Sequence, residues 1–243
     1  LVSSRGLGDV YKRQVKVTPA ITFTALSSSM RTFTCSLNPW INRRPESMQG
    51  YSQAAENNKA PIADVMGKHL SPDASVLEIG SGAGQHALHM SHAFPGITWL
   101  PSEREAVVPL LRANLALYES NNIQPPLMLD LNDFTWSGDP VDAVYAANVM
   151  HIVSESLGER LVQVAADALR SSGLLILYGP YKYNGQFTTE SNAAFDQWLK
   201  DRDPASGVRD FEAVIATAQC SGLTLTQDYA MPANNQMLIF ERA

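Results

Sequence analysis

From Tyr51 onward the chain alternates two hydrophobic patterns, a helical spacing of three and four and short apolar runs of the kind that fill buried strands. Ile62, Val65, Met66 and Leu70 fall on one helical face behind Pro61, a residue suited to a first helical position, so a helix is expected to open there and to end at Ser71, Pro72 and Asp73. Leu157, Leu161, Val164, Ala165, Ala168 and Leu169 predict another, stopped by Gly173. Phe195, Trp198 and Leu199 mark a third before Pro204, and Asp210 stands as the N-cap of a last one through Phe211, Val214, Ile215 and Ala218. Strands are expected at residues 75–79, 98–100, 127–131, 143–147, 174–178, 223–229 and 236–241. Strands alternating with helices imply a parallel sheet covered on both faces. The last two strands are joined by MPANN, too short for a helical crossover, so the final strand must run antiparallel. The expected fold is α/β, a doubly wound, seven-stranded, mostly parallel sheet with an antiparallel last strand.

Composition narrows the function. Residues 47–243 carry eleven Lys/Arg against twenty-two Asp/Glu, an acidic body that repels phosphate backbones, so a small-molecule substrate is expected and no nucleic acid. No run approaches the roughly 18 apolar residues of a spanning helix, which predicts a soluble protein without a membrane segment. Cys35 and Cys220 have no CxxC spacing, which points to a reducing, cytoplasmic compartment. Residues 1–14 lack either periodicity, and residues 15–45 hold nine Ser/Thr and four Lys/Arg with no acid. Residues 1–45 are therefore set apart from the domain at 46–243, as a non-native or disordered leader or as a transit peptide that would direct the protein to a mitochondrion or plastid. Oligomeric state is not readable from these features.

The first strand, SVLEI, runs into GSGAG. Gly80, Gly82 and Gly84 permit positive φ and close backbone approach, and the following helix turns its free N–H groups toward a polar ligand. Glu78 is a carboxylate in a buried strand and therefore needs a donor from a ligand or a neighbouring group. Read from Gly82, GAGQHA also satisfies the dinucleotide pattern G-x-G-x-x-A, and Glu103, about 20 residues on, suits ribose hydroxyls in either cofactor class.

Apolar-Glu-apolar-Gly-x-Gly-x-Gly resembles the first motif of class I S-adenosylmethionine (SAM)-dependent methyltransferases, which share the seven-stranded fold. AENNKAPI, DAVYAANVMHIV, LYGPYKYNGQFTTESNAAFD, GVRDFEAV and MPANNQMLIFER extend the likeness, over nearly all of residues 51–242, to the methyltransferase-like protein 26 family. The resemblance implies that Gly80, Gly82 and Gly84 line the methionine moiety and ribose of SAM, with Glu78 at its amino-acid end. It further implies that Glu103 accepts both ribose hydroxyls, that Asp130 meets the adenine amino group and that Asn148 faces the methionine end and the acceptor. A Glu at position 103 departs from the Asp common there by one methylene.

Methyl transfer needs chiefly alignment, and a general base only where the acceptor is protonated. His151, just past the fourth strand, is the candidate base or else packs the following helix. Tyr178 and Tyr181 are candidate walls for the acceptor or sulfonium, or core aromatics. Arg209 could clamp an acceptor carboxylate or form a surface ion pair. Glu56, Asn57, Asn58 and Lys59 form a polar cluster expected just before the first helix. His86, His89 and His92 cannot converge on one helix, since six residues turn about 600°, so no metal is expected. Three functions stay open: a methyltransferase, a non-catalytic SAM-binding protein, and an NAD-dependent oxidoreductase, which Glu78 and the antiparallel last strand disfavour.

Overall fold

The computed structural model describes residues 48–118 and 120–243; the leader assigned to residues 1–45 lies outside them. The elements run α1 (Gln53–Met66), β1 (Ser75–Ile79), α2 (Gln85–Ala93), β2 (Thr98–Glu103), α3 (Val108–Leu115), β3 (Leu127–Met128), β4 (Val141–Ala147), α4 (Glu155–Ala168) and β5 (Leu169–Gly179). They continue through β6 (Tyr181–Tyr183), β7 (Gln186–Phe187), α5 (Glu190–Lys200), β8 (Arg209–Asp210), α6 (Phe211–Cys220), β9 (Leu223–Met231) and β10 (Asn235–Arg242). The main sheet has seven strands in the order β3-β2-β1-β4-β5-β10-β9. β10 is antiparallel to both its neighbours and the remaining pairings are parallel, which is the expected architecture.

Alternation along the central strands sends apolar side chains to both faces. Leu77, Ile79, Val144, Leu175, Leu177 and Phe240 pack with Leu161, Ala165, Val214 and Ala218 of α4 and α6. On the other face Val76, Ala143, Tyr145 and Ile176 meet Ile62 and Met66 of α1 and Ala87 and Met90 of α2. Strand order reverses between β1 and β4, so their carboxyl ends open the crevice where such sheets bind ligands. No helix of the described residues is long and apolar enough to cross a membrane.

Several boundaries differ from the sequence pattern, the first helix ending at Met66 rather than at residues 71–73, and one small sheet is added. The first helix starts eight residues before Pro61, which lies inside it; Ser52 caps it by accepting from Ala55 N at 3.3 Å, and the polar cluster of residues 56–59 sits within the helix. The stretch ahead of the proline is tied to α2, Asn58 through His86 and Ser52 through Gln85. β3 pairs with β2 only at Leu127 and Met128, after which Asp130 turns the chain with Asn132, leaving Leu129 and Leu131 as core residues rather than strand. α4 ends at Ala168 and passes directly into β5, ahead of Gly173, with Ser172 in the left-handed region at φ 60°. A small second sheet, β7-β6-β8, has no counterpart in the sequence reading. Its hairpin turns on Asn184 and Gly185, both at positive φ, the Asn-Gly signature of a type I′ turn.

If α1 begins at Ser52, Ser52→Ala should lower unfolding free energy in urea by about 1 kcal/mol; an unchanged midpoint would place the helix start elsewhere.

Candidate functional site

The three glycines of the turn after β1 have three different reasons. Gly80, Gly82 and Gly84 all have positive φ, 78°, 54° and 89°. A Cβ on Gly80 would meet Val149 Cγ2 at 2.7 Å, and one on Gly84 would meet Leu111 Cδ1 at 2.9 Å. A Cβ on Gly82 would meet nothing within 4 Å. Two glycines thus admit neighbouring elements of the fold, whereas the third bares backbone toward open space.

Both acids from adjacent strand ends engage this turn. Glu103, ending β2, accepts from Gly82 N at 3.1 Å through Oε1 and from Arg104 N at 2.9 Å through Oε2. Glu78 lies beneath the turn, 2% exposed. Its Oε2 accepts from Ser81 Oγ at 2.8 Å and from Trp99 Nε1 at 2.9 Å. Burial pushes its carboxyl up to about 7, with the two hydrogen bonds pulling the other way and Glu103 adding repulsion. Ser81 also accepts from Ser102 N at 3.1 Å, and Ser102 O receives the N–H groups of Gly80 and Ser81. Ser81, Trp99 and Ser102 were not anticipated, because only the paired register of β1 and β2 brings them to the motif.

Gln85, opening α2, exchanges two hydrogen bonds with the Ser52 backbone, at 2.6 and 3.1 Å. Asn114 does the same with Gln49, at 3.1 and 2.8 Å, and donates to Ala83 O as well. The segment leading into α1 is thereby strapped beside the glycine turn. Glu56 pairs with Lys59 at 2.6 Å within α1. His86 is bonded to Asn58 at 2.8 Å and to the Tyr145 hydroxyl at 3.0 Å, and burial holds it down to about 4, so it is a neutral core residue. His92 Nδ1 meets Leu88 O, and among the described residues no group of three His, Cys, Asp or Glu gathers as a metal site.

The remaining candidates line the next strand ends. Asn148 follows β4 in the left-handed region, φ 59°, with its N–H on Tyr178 O. Asp130 follows β3 and accepts from Asn132 N and Nδ2, bonds that hold its carboxyl below the usual range. His151 is 4% exposed, its ring edge-on to Phe195 at 5.3 Å. Burial, and then Arg209, lower it to about 3. Arg209 donates to the carbonyls of Met150, Val153 and Ala205, and Gly207 N donates to His151 O. The guanidinium therefore fastens the loop after β4, and among the described residues it forms no ion pair. Tyr181 is 1% exposed within the α4/α6 core, and its hydroxyl has no hydrogen-bond partner among the described residues. Tyr178 is likewise buried, on the α1/α2 face.

A cavity of about 420 Å³ opens at the opposite, amino-terminal edge of the sheet, lined by Lys68, His69, Asp142 and Arg170. Its position is the wrong end for ligand binding in an open parallel sheet, and Asp142 is already taken by Arg170 and Ser75. The crevice over Gly82 is the better candidate.

The family described as "Protein of unknown function (DUF938)" matches residues 49–242, and the chain belongs to it. Among solved structures, human N-acetylserotonin methyltransferase in complex with SAM is similar with a TM-score of 0.68 at 14% identity, over 82% of this chain and 55% of that one. The mitomycin 7-O-methyltransferase matches with a TM-score of 0.65 at 19% identity, over 77% and 54%. An O-methyltransferase family protein from Burkholderia thailandensis gives 0.66 at 14%, over 78% and 58%. These likenesses establish the methyltransferase-type fold, and the chain spans little more than half the length of each.

Two outcomes test this geometry. Gly80→Ala should cost about 2–4 kcal/mol in urea unfolding, strain plus the Val149 clash, whereas Gly82→Ala should cost about 1 kcal/mol from its φ alone; equal costs would contradict the division. Glu78 has a folded value above its ordinary 4.5. The folded state therefore keeps a proton that the unfolded chain gives up, and stability falls as pH rises from about 4.5 to about 7, then levels, by roughly 3 kcal/mol. Glu78→Gln should remove that fall from a stability-versus-pH series, and an identical slope in the variant would contradict the buried acid.

Proposed function

We propose that the crevice over Gly82 binds SAM and that the protein transfers its methyl group to a small-molecule acceptor. The observation that carries the reading is the bare Gly82 backbone set between Glu78 and Glu103 at the switch point of the sheet. The residues present suit the cofactor. Each Glu103 oxygen holds one N–H and keeps a lone pair for a ribose hydroxyl. Glu78 offers a carboxylate to the cationic end, Gly80 and Gly84 fix the bend, Asp130 faces the adenine amino group, and Asn148 turns toward the methionine end. Bound there, SAM supplies an electrophilic methyl carbon; the chain's part is to bind, align and exclude water. The fold neighbours named as methyltransferases, two of them as O-methyltransferases, and the resemblance to methyltransferase-like protein 26 support this reading.

On the acceptor side His151 is the remaining candidate base. As a neutral imidazole of low basicity it suits accepting a hydrogen bond from the acceptor better than storing its proton. Arg209 acts through the loop it fastens, and Tyr181 contributes packing. That three of four acceptor-side candidates, Tyr178, Tyr181 and Arg209, are committed to the fold favours a second reading, a SAM-binding protein without catalysis.

Calorimetry with SAM and with NAD tests the cofactor: micromolar binding of SAM and none of NAD is expected, and the reverse would end the reading. Glu103→Ala should weaken SAM by about 1.5–3 kcal/mol, roughly ten- to a hundredfold; unchanged affinity would remove Glu103 from the ribose. Labelled SAM incubated with metabolite extracts should yield a methylated product. Loss of that product in His151→Ala supports its role, and full activity removes it.

A further inference from the structure

Helix α5 buries polar side chains and leaves its aromatic ones half-exposed. Asn192 and Asp196 are each 5% exposed, whereas Phe195 and Trp198 stand partly in solvent and belong to neither hydrophobic core. The polar pair fastens the helix. Asn192 donates to Thr188 Oγ1 and Asn234 O, and Asp196 accepts from Val208 N at 2.8 Å and from Lys200 Nζ at 2.7 Å. The aromatic pair is stacked instead, ring centroids 5.7 Å apart and planes 18° from parallel, with the Arg202 guanidinium 3.7 Å over the indole. Phe195 is also the ring that stands edge-on to His151 at 5.3 Å. His151 packs in addition on Gly179, the end of β5, where a Cβ would come within 3.2 Å of its Nδ1. From the buried candidate base to the surface there follow an imidazole, a phenyl ring, an indole and a guanidinium. Aromatic rings held in one stack beside a candidate base, and kept out of the core, present ring faces and edges to whatever lies against that base.

We propose that Phe195 and Trp198 form the acceptor platform and that the acceptor is a planar aromatic alcohol, laid along the α5 stack with its hydroxyl toward His151. This rests on the crevice being a SAM site. Phe195 and Trp198 are the specificity-determining residues. Arg202 is a positioning residue: stacked on the indole, it holds the ring in one orientation, so less side-chain freedom is lost when an acceptor lies down. A saturated alcohol of the same size would cover the same apolar area without the ring-to-ring geometry that aromatic pairs add. In the transfer the acceptor hydroxyl gives its proton to solvent past His151 and its oxygen takes the methyl group. The carbon–sulfur bonding pair stays on sulfur as SAM becomes S-adenosylhomocysteine (SAH).

Calorimetry of the full chain saturated with SAH, titrated with 2-naphthol and with its saturated counterpart decahydro-2-naphthol, tests the platform. The aromatic probe should bind about tenfold more tightly than the saturated one. Trp198→Leu should lower 2-naphthol affinity about tenfold and leave SAM affinity unchanged, and Trp198→Phe should recover most of the loss. The leucine variant is expected to keep the wild-type urea midpoint, because the side chain lies outside both cores. The labelled product formed from metabolite extracts should carry an aromatic chromophore, and Trp198→Leu should raise the KM of that acceptor with little change in kcat. Equal or absent binding of the two probes, unchanged 2-naphthol affinity in the folded leucine variant, or a saturated labelled product overturns the proposal and leaves the SAM site standing. A wild type that binds 2-naphthol but not SAM removes the SAM reading, and the acceptor role with it.

Discussion

Glu78 places a carboxylate where two parallel strands and a bare backbone bend meet, and the donors that keep it there organise the carboxyl edge of the sheet. Trp99 comes from β2 and Ser81 from the bend itself. Ser81 is held in turn by Ser102 N, while Ser102 O gathers the N–H groups of Gly80 and Ser81. The bend is therefore bonded to β2, as β1 is. Glu103, one residue further along β2, closes the arrangement on Gly82. A buried acid that would cost several kcal/mol unpaired is tolerated because its neighbours were placed by the same strand pairing that carries it.

The two halves of the crevice are built on different principles. On the side proposed for SAM, the crevice is edged by the bare Gly82 backbone and by carboxylates at strand ends. On the acceptor side, the loop after β4 is fastened by main-chain contacts, with Arg209 and Gly207 taking the carbonyls of residues 150, 151 and 153. That fastening holds His151 beside Phe195, where burial and the nearby guanidinium keep the ring neutral. A neutral ring can still accept a hydrogen bond, the part proposed for it above.

Much of the fold was legible because burial on two faces imposes periodicity on the chain. β1 is read from sequence with its observed limits, and α4 within two residues at its start, since both are dense in apolar residues at regular spacing. The start of α1 is not legible because residues 53–60 hold no apolar side chain larger than alanine, so the proline outweighs the serine cap; ties to Gln85 and His86 hold that stretch in place. The turn glycines and both acids could be found as a local motif. Trp99, Ser102, Gln85 and Asn114 could not, because each acts across 21 residues or more and no short pattern encodes the pairing. The small second sheet did carry a local signal, Asn184-Gly185 between two short β-prone stretches, which the longer apolar runs overshadowed.

The most direct measurement is a crystal structure of the protein grown with SAH. The account predicts adenosyl density over Gly82, the ribose hydroxyls on the Glu103 carboxylate, and the amino-acid end beside Glu78. Density at the amino-terminal cavity instead, or a crevice in which Glu103 makes no contact with the ligand, would contradict it.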